Sequence, residues 1–303
     1  MKRILVLEYS QSGDVTKAAD AFTRPLKRPG VELSRECLQP IESYPYPWRS
    51  LGRLFSVFPE CFLGPADGIR PPAFSPDERF DLVVLAYQVW YLNPSLPIQA
   101  FLRSEHARVL RYTPVLTLCI SRAMWHSASE TMKQMLRDAG GVHIDNVVVT
   151  HPGPPFSTFV SVPRALLVGK KDRLWGIFPR AELDARNLDR CERLGSAVAE
   201  RLDELRPPYQ SLLTGLGAVE VKRRYIVPER TAWYLYRGVA RLVGRKGERR
   251  DLPRELALYL FMAGVLSLIC MGLPLCLVTV FVLYPVLGGR IARYAHRLAE
   301  PSG

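Results

Sequence analysis

Along residues 1–206, hydrophobic positions fall in two alternating patterns. Short apolar runs rich in branched residues predict strands over Arg3–Glu8, Val31–Cys37, Leu82–Tyr87, Val115–Cys119 and Asn146–Thr150. Between them, three-to-four spacing predicts helices over Asp14–Phe22, Leu96–Leu102, Ser129–Ala139 and Glu182–Leu205. The last is the clearest, because Leu188, Cys191, Leu194, Val198, Leu202 and Leu205 fall on one face. Strand and helix in alternation predict an α/β fold: a doubly wound, five-stranded parallel sheet with ligands at the carboxyl ends of its strands. Two zones break the pattern, Gln39–Pro76 and His151–Arg180. Both are rich in Pro and aromatic residues and too long for plain connections, so both are predicted to be functional loops.

The pattern changes after Pro207-Pro208. Between Arg230 and Lys246 the spacing is helical, with Arg230, Arg237, Arg241 and Arg245 on one face. Trp233, Leu235, Tyr236, Val239, Ala240 and Val243 fill much of the remainder. Two readings stay open: a helix lying in a membrane interface, or a helix packed on the α/β unit. From Leu256 to Gly289 no Asp, Glu, Lys or Arg occurs. As a helix, that run would reach about 50 Å, beyond the roughly 30 Å of a bilayer core. Gly272-Leu273-Pro274 near its middle leaves a single kinked span and a re-entrant hairpin as alternatives. Arg249, Arg250 and Arg254 precede the run, and Arg290, Arg293 and Arg297 follow it, so flanking charge does not choose between them. The expected organisation is an α/β domain (1–206), a basic amphipathic linker (207–254), a hydrophobic membrane-associated helical segment (255–289) and a short basic tail (290–303).

Composition adds two constraints. With 48% hydrophobic and 23% charged residues, the chain of 303 is too apolar to be mainly disordered. The net charge of +12 is uneven: residues 218–303 hold 14 basic and 6 acidic side chains, against 27 and 23 in residues 1–217. Beside an uncharged apolar run, that excess points to an anionic membrane surface rather than to nucleic acid. Cys37, Cys61, Cys119, Cys191, Cys270 and Cys276 show no redox or zinc spacing and are read as reduced. Met1-Lys2-Arg3 leads straight into a strand, without the pattern of a secretory leader. The expected location is a membrane, with the α/β domain on its cytoplasmic side.

The first strand enters Tyr9-Ser10-Gln11-Ser12-Gly13-Asp14-Val15-Thr16 and then a helix. The hydroxyls of Ser10, Ser12 and Thr16, the bare backbone at Gly13 and a helix N-terminus make a phosphate cradle. An ordinary helix cap would use the same residues. No G-x-G-x-x-G follows this strand and no G-x-x-x-x-G-K-[ST] occurs, so neither a dinucleotide fingerprint nor a P-loop is present. His106, His126, His143, His151 and His296 show no metal-ligand spacing; His126, beside a strand-end turn, is a weak candidate acid or base. There is no G-x-S-x-G, and Cys119 has no evident base partner, which argues against a hydrolase and against a thiol-dependent condensation.

The Ser10–Thr16 turn is similar to the phosphate loop of flavodoxin-like proteins. More specifically, residues 1–206 resemble the flavodoxin-like family named dialkylresorcinol condensing enzymes. The matching segments are Tyr9–Thr16, Tyr44-Pro45-Tyr46-Pro47-Trp48, Pro59-Glu60, Tyr87-Gln88-Val89-Trp90-Tyr91-Leu92-Asn93-Pro94-Ser95-Leu96-Pro97 and Ser121-Arg122-Ala123-Met124-Trp125. The resemblance implies FMN, with NAD(P)H as a candidate electron donor, a lipophilic aromatic or cyclic-ketone substrate, and partner enzymes of aryl-lipid synthesis. It implies that Ser10, Gln11, Ser12, Gly13, Asp14, Val15 and Thr16 hold the phosphate. Gln88, Val89, Trp90, Tyr91 and Asn93 would line the ring slot on one side, with Ser121, Arg122 and Trp125 on the other. A membrane-tethered electron carrier or a non-catalytic docking scaffold is the alternative. Asp14 places a negative charge beside the proposed phosphate, and the domain lacks the acidity of carrier flavodoxins.

Overall fold

The computed structural model describes residues 1–65, 67–153, 155–244, 252–267 and 288–299. Strands β1 (Lys2–Glu8), β2 (Val31–Cys37), β3 (Leu82–Trp90), β4 (Asn93–Pro94), β5 (Pro114–Ser121) and β6 (Val142–Thr150) form one sheet. Its order is β2-β1-β3-β5-β6, all parallel, with the two-residue β4 antiparallel to the end of β3. The five long strands therefore stand in the 2-1-3-4-5 order of flavodoxin-like folds, with the direction of winding across the sheet reversing between β1 and β3.

Alternation along the strands explains how both faces are covered. Ile4 and Val6 point to the layer of α1 (Asp14–Thr23) and α7 (Ala185–Arg201), where they meet Phe22, Leu194 and Val198. Leu5 and Leu7 point to the opposite layer of α4 (Leu96–Arg103) and α5 (His126–Asp138), among Ile98, Phe101, Met132 and Leu136. A parallel strand buried on both faces is apolar along its central run, as Ile4–Leu7 of β1 and Leu82–Ala86 of β3 are. The predicted strands and helices all form, with ends shifted by a few residues.

The two zones expected as loops contain helices: α2 (Leu51–Ser56) and α3 (Phe58–Leu63) in the first, α6 (Pro155–Val168) in the second. Six residues are too few to show a helical period, and Pro59 stands in the first turn of α3, where proline is tolerated. Pro163 lies inside α6, so it too gave the wrong signal.

The folded unit also continues past the expected boundary at 206. The Asp145 carboxylate on β6 is fully buried and accepts from Ser211 Oγ (2.6 Å) and from the backbone N–H groups of Leu212 (2.8 Å) and Leu213 (3.2 Å). Val148 N–H then donates to Ala218 O, so residues 211–218 cover the β6 edge. Burial raises Asp145 to about 6 against the lowering effect of these donors. A carboxyl pKa raised on folding stabilises most below its unfolded value near 4, and that contribution fades as pH rises through about 6. Asp145→Asn should therefore flatten the change in unfolding free energy between pH 4 and 7. Asp145→Ala, which strands two amides and a hydroxyl, should cost about 2–4 kcal/mol. Denaturant titrations across that pH range measure both.

Beyond residue 218, α8 (Ile226–Gly244) packs Ala240 and Val243 against Phe58 and against Leu258 of α9 (Leu252–Ser267). The packed-helix reading of the basic stretch is thus realised on one face. Its other face leaves Arg230, Tyr234, Leu235, Arg237, Arg241 and Leu242 exposed. Phe261 stacks on Phe58 at 4.3 Å, so the beginning of the charge-free run touches the α/β unit. Among the described residues, no helix is long and apolar enough to cross a membrane. Residues 268–287, most of the expected membrane segment, lie outside the described residues. The chain is helical again over 288–299.

Candidate functional site

The β1–α1 turn is shaped by Gly13, which sits in the left-handed region at φ 89°, with nothing within 4 Å of where a Cβ would stand. Ser10 Oγ accepts from the N–H groups of Gly13 (3.1 Å) and Thr16 (3.3 Å), turning amides of the α1 N-terminus toward one hydroxyl. Ser12 Oγ donates to Asp14 Oδ2, and Gln11 Nε2 donates to Pro45 O, tying this turn to the segment before α2. Two expected contacts are redirected. Thr16 Oγ1 donates to the buried Glu8 carboxylate, and the Val15 side chain enters the core between α1 and the sheet. Only their backbone remains at the turn.

Asp14 is buried and charged. Burial alone would raise its pKa, but the hydrogen bond and charge of His151, followed by Lys171, outweigh that and lower it. His151 Nε2 lies 3.2 Å from Oδ2, while Lys171 Nζ donates to Oδ1 (3.0 Å) and to Ser12 O (2.6 Å). Neither residue was singled out by the sequence, but both lie in the His151–Arg180 zone expected to be a functional loop, and His151 directly follows the last strand. The turn fits a phosphate group: its backbone face is open at Gly13, and Lys171 balances the charge of Asp14.

Trp90, at the end of β3, is half-buried in a set of rings. Tyr44 (5.1 Å), Tyr9 (6.0 Å) and Trp48 (6.1 Å) stand edge-on around it. A concavity of about 380 Å³ opens beside Tyr44 and Trp48, lined also by Glu42, Ser43, Pro45, Arg53 and Val57. Among the described residues, Trp48 Nε1 is buried without a hydrogen-bond partner, as is Gln88 Nε2. Val89 packs into the core beneath.

The next residues turn away. Tyr91 and Leu92 take positive φ (47° and 63°), and Tyr91 OH donates to Leu54 O at 2.7 Å, among Phe55 and Phe58. Asn93 is buried, with Nδ2 donating to Tyr91 O and Oδ1 accepting from Thr131 Oγ1 and Trp233 Nε1. The expected Trp90–Tyr91–Asn93 wall therefore reduces to Trp90. Two left-handed residues reverse the chain, which alternation in the sequence could not show.

The turn after β5 is engaged by α8. Ser121 Oγ donates to Met124 O, and Trp125 is buried with its ring 4.5 Å from that of His126. Arg122 is partly buried, and desolvation lowers it to about 10, so it stays charged at neutral pH. His126 Nδ1 is 2.6 Å from Glu229 Oε2, and Ser127 N–H donates to Glu229 Oε1 at 2.7 Å. Glu229, fully buried, thus caps the N-terminus of α5 from 103 residues away. No cluster of metal-ligating side chains occurs among the described residues.

Strand order and the hydroxyl-rich β1 turn together define a flavodoxin-like α/β domain carrying an added C-terminal helical region. Comparison with solved structures finds similarity to a flavodoxin from the domain Archaea (13% identity, 67% of this chain and 99% of that one, TM-score 0.36). It also finds a flavodoxin, WrbA-like protein from Agrobacterium tumefaciens (11% identity, 68% and 100%, TM-score 0.36) and the azoreductase AzrA (10% identity, 65% and 99%, TM-score 0.35). No family model and no curated protein sequence matches the chain.

Proposed function

We propose that the protein is a membrane-associated, FMN-dependent oxidoreductase that aromatises a lipophilic cyclic dione in dialkylresorcinol-type synthesis, with NAD(P)H as electron donor. The observation that carries the cofactor reading is continuity. The Ser10–Gly13 cradle is bonded through Gln11 to Pro45, and the same segment supplies Tyr44 and Trp48 to the rings around Trp90. The turn and the ring cluster around Trp90 thus adjoin across neighbouring strand ends. The concavity beside them is within the usual size of a small-molecule site.

In this reading Ser10, Ser12, Lys171 and the α1 N-terminus hold the phosphate, and Trp90 stacks against the ring. Bound flavin supplies two-electron transfer. The surrounding side chains supply orientation and exclude water from the slot. The motif resemblance supports the aromatic substrate. The charge-free run and the exposed Leu235, Leu242, Leu256 and Leu260 support contact with a membrane, where such a substrate would dissolve.

The test is flavin titration of the purified full-length protein. Wild type should bind FMN and be yellow. Trp90→Ala should bind several-fold more weakly, from loss of about 0.5–1.5 kcal/mol of ring contact, with its unfolding still cooperative. Gly13→Val, which forces a branched residue to positive φ and fills the open backbone face, should abolish binding. A colourless wild type that binds no FMN overturns the reading and leaves the docking scaffold.

A further inference from the structure

Helix α8 and the helix 288–299, which the charge-free run separates, are far apart in sequence, yet the fold brings them together. Ile226 and Val227 of α8 pack on Ile291, Tyr294 and Ala295 of the helix 288–299, and Leu298 reaches the main core. Arg230 and Arg297 therefore meet at one tyrosine, with Arg223 and Arg224 just before α8 and Arg290 and Arg293 on the later helix, all six exposed. Tyr294 organises the group, with the guanidinium of Arg230 5.4 Å and that of Arg297 5.6 Å from its ring centre. Arg224 lies similarly over Tyr225 at 5.0 Å.

Among the described residues, none of these six arginines makes a salt bridge. Glu130, whose charge reaches Arg230, pairs instead with Lys133. A concavity of about 580 Å³ lies along the helix 288–299, lined among the described residues by Arg290, Arg293, Tyr294, His296 and Arg297. Two guanidinium groups on one ring, with four more exposed arginines on the same two segments, repel one another unless an anion completes the site. Guanidinium groups suit a phosphate diester in particular, because their paired N–H groups match its oxygens.

We propose that this surface binds the phosphate headgroup of an anionic phospholipid. The lipid, rather than a soluble phosphate, follows from position. Arg290 is the first charged residue after the apolar run, so the site stands at the polar boundary of the segment assigned to the membrane. The inference rests on the membrane reading above, and adds which headgroup is held and by which side chains.

The experiment uses full-length protein in a non-ionic detergent at low salt, titrated with dihexanoyl phosphatidylglycerol, dihexanoyl phosphatidylcholine and inorganic phosphate. The phosphatidylglycerol should bind at least tenfold more tightly than either of the others. Each arginine removed should weaken it about fivefold, so Arg290→Gln with Arg293→Gln should lose more than tenfold. Both positions are exposed, so thermal unfolding and FMN binding of that variant should match wild type. Equal affinity for the two lipids, an unaffected double variant, or phosphate binding as tightly as the lipid would each overturn the proposal. High-salt washing of native membranes separates this from the membrane reading. Release by salt with lipid selectivity retained supports the headgroup site while removing the inserted anchor; retention without selectivity removes the headgroup site alone.

Discussion

Replacing Gly195 with alanine should destabilise the protein by about 3 kcal/mol or more, although alanine is the better helix former. Gly195 lies in α7, where that exchange normally gains about 1 kcal/mol. Here the new Cβ would stand 1.9 Å from Phe22 O and 2.8 Å from Phe22 C, both backbone atoms at the end of α1. Backbone cannot rotate aside, so α1 and α7 must separate, opening a core that holds Phe22, Leu194 and Val198. Overpacking of 1–3 kcal/mol and lost burial together exceed the propensity gain. Gly238→Ala in α8 is the control, since nothing lies within 4 Å of its added Cβ. It should stabilise by about 0.5–1 kcal/mol. Paired denaturant titrations would show opposite signs; a Gly195→Ala protein as stable as wild type would mean that the two helices are not packed this closely.

Glu229→Ala should have an effect of similar size and a second, structural signature. The carboxylate is fully buried and serves two groups, His126 Nδ1 and Ser127 N–H. Removing one partner of such a buried pair typically costs about 3–5 kcal/mol, because the others remain buried without it. Glu229→Gln keeps an acceptor for Ser127 N–H and should lose less. The contact also fastens α8 to the α/β unit, together with the bond from Trp233 Nε1 to Asn93. Limited trypsin digestion should therefore cut Glu229→Ala faster within the arginine-rich residues of α8, at a rate following the loss of stability. For the same reason residues 1–206 alone should not fold cooperatively. Cutting there removes the donors to Asp145, the cover over the β6 edge and the packing of Val219, Val221 and Leu298.

Local chemistry carried much of the fold into the sequence. Ile4 to Leu7 could only be a strand buried on both faces, and Leu188 through Leu205 only a helix with one apolar side, because each period is set within a few residues. The Ser10–Thr16 turn was legible for the same reason, since its cradle is made by neighbours in the chain. The helices α2, α3 and α6 were not, being too short or too rich in proline to show a period.

Tertiary structure alone decided what closes the site. Lys171 and His151 reach Asp14 across 157 and 137 residues, and Glu229 reaches His126 across 103. Tyr91 and Asn93 turn away from Trp90 through two left-handed residues that no composition requires. In the sequence Arg230 belonged to a basic helix face and Arg290, Arg293 and Arg297 to the far flank of the apolar run, with nothing to join them at Tyr294. Sequence spacing fixes which face of its own element a side chain occupies. Which distant charge, backbone or ring it meets depends on how the elements cross, and that is settled only when the whole chain packs.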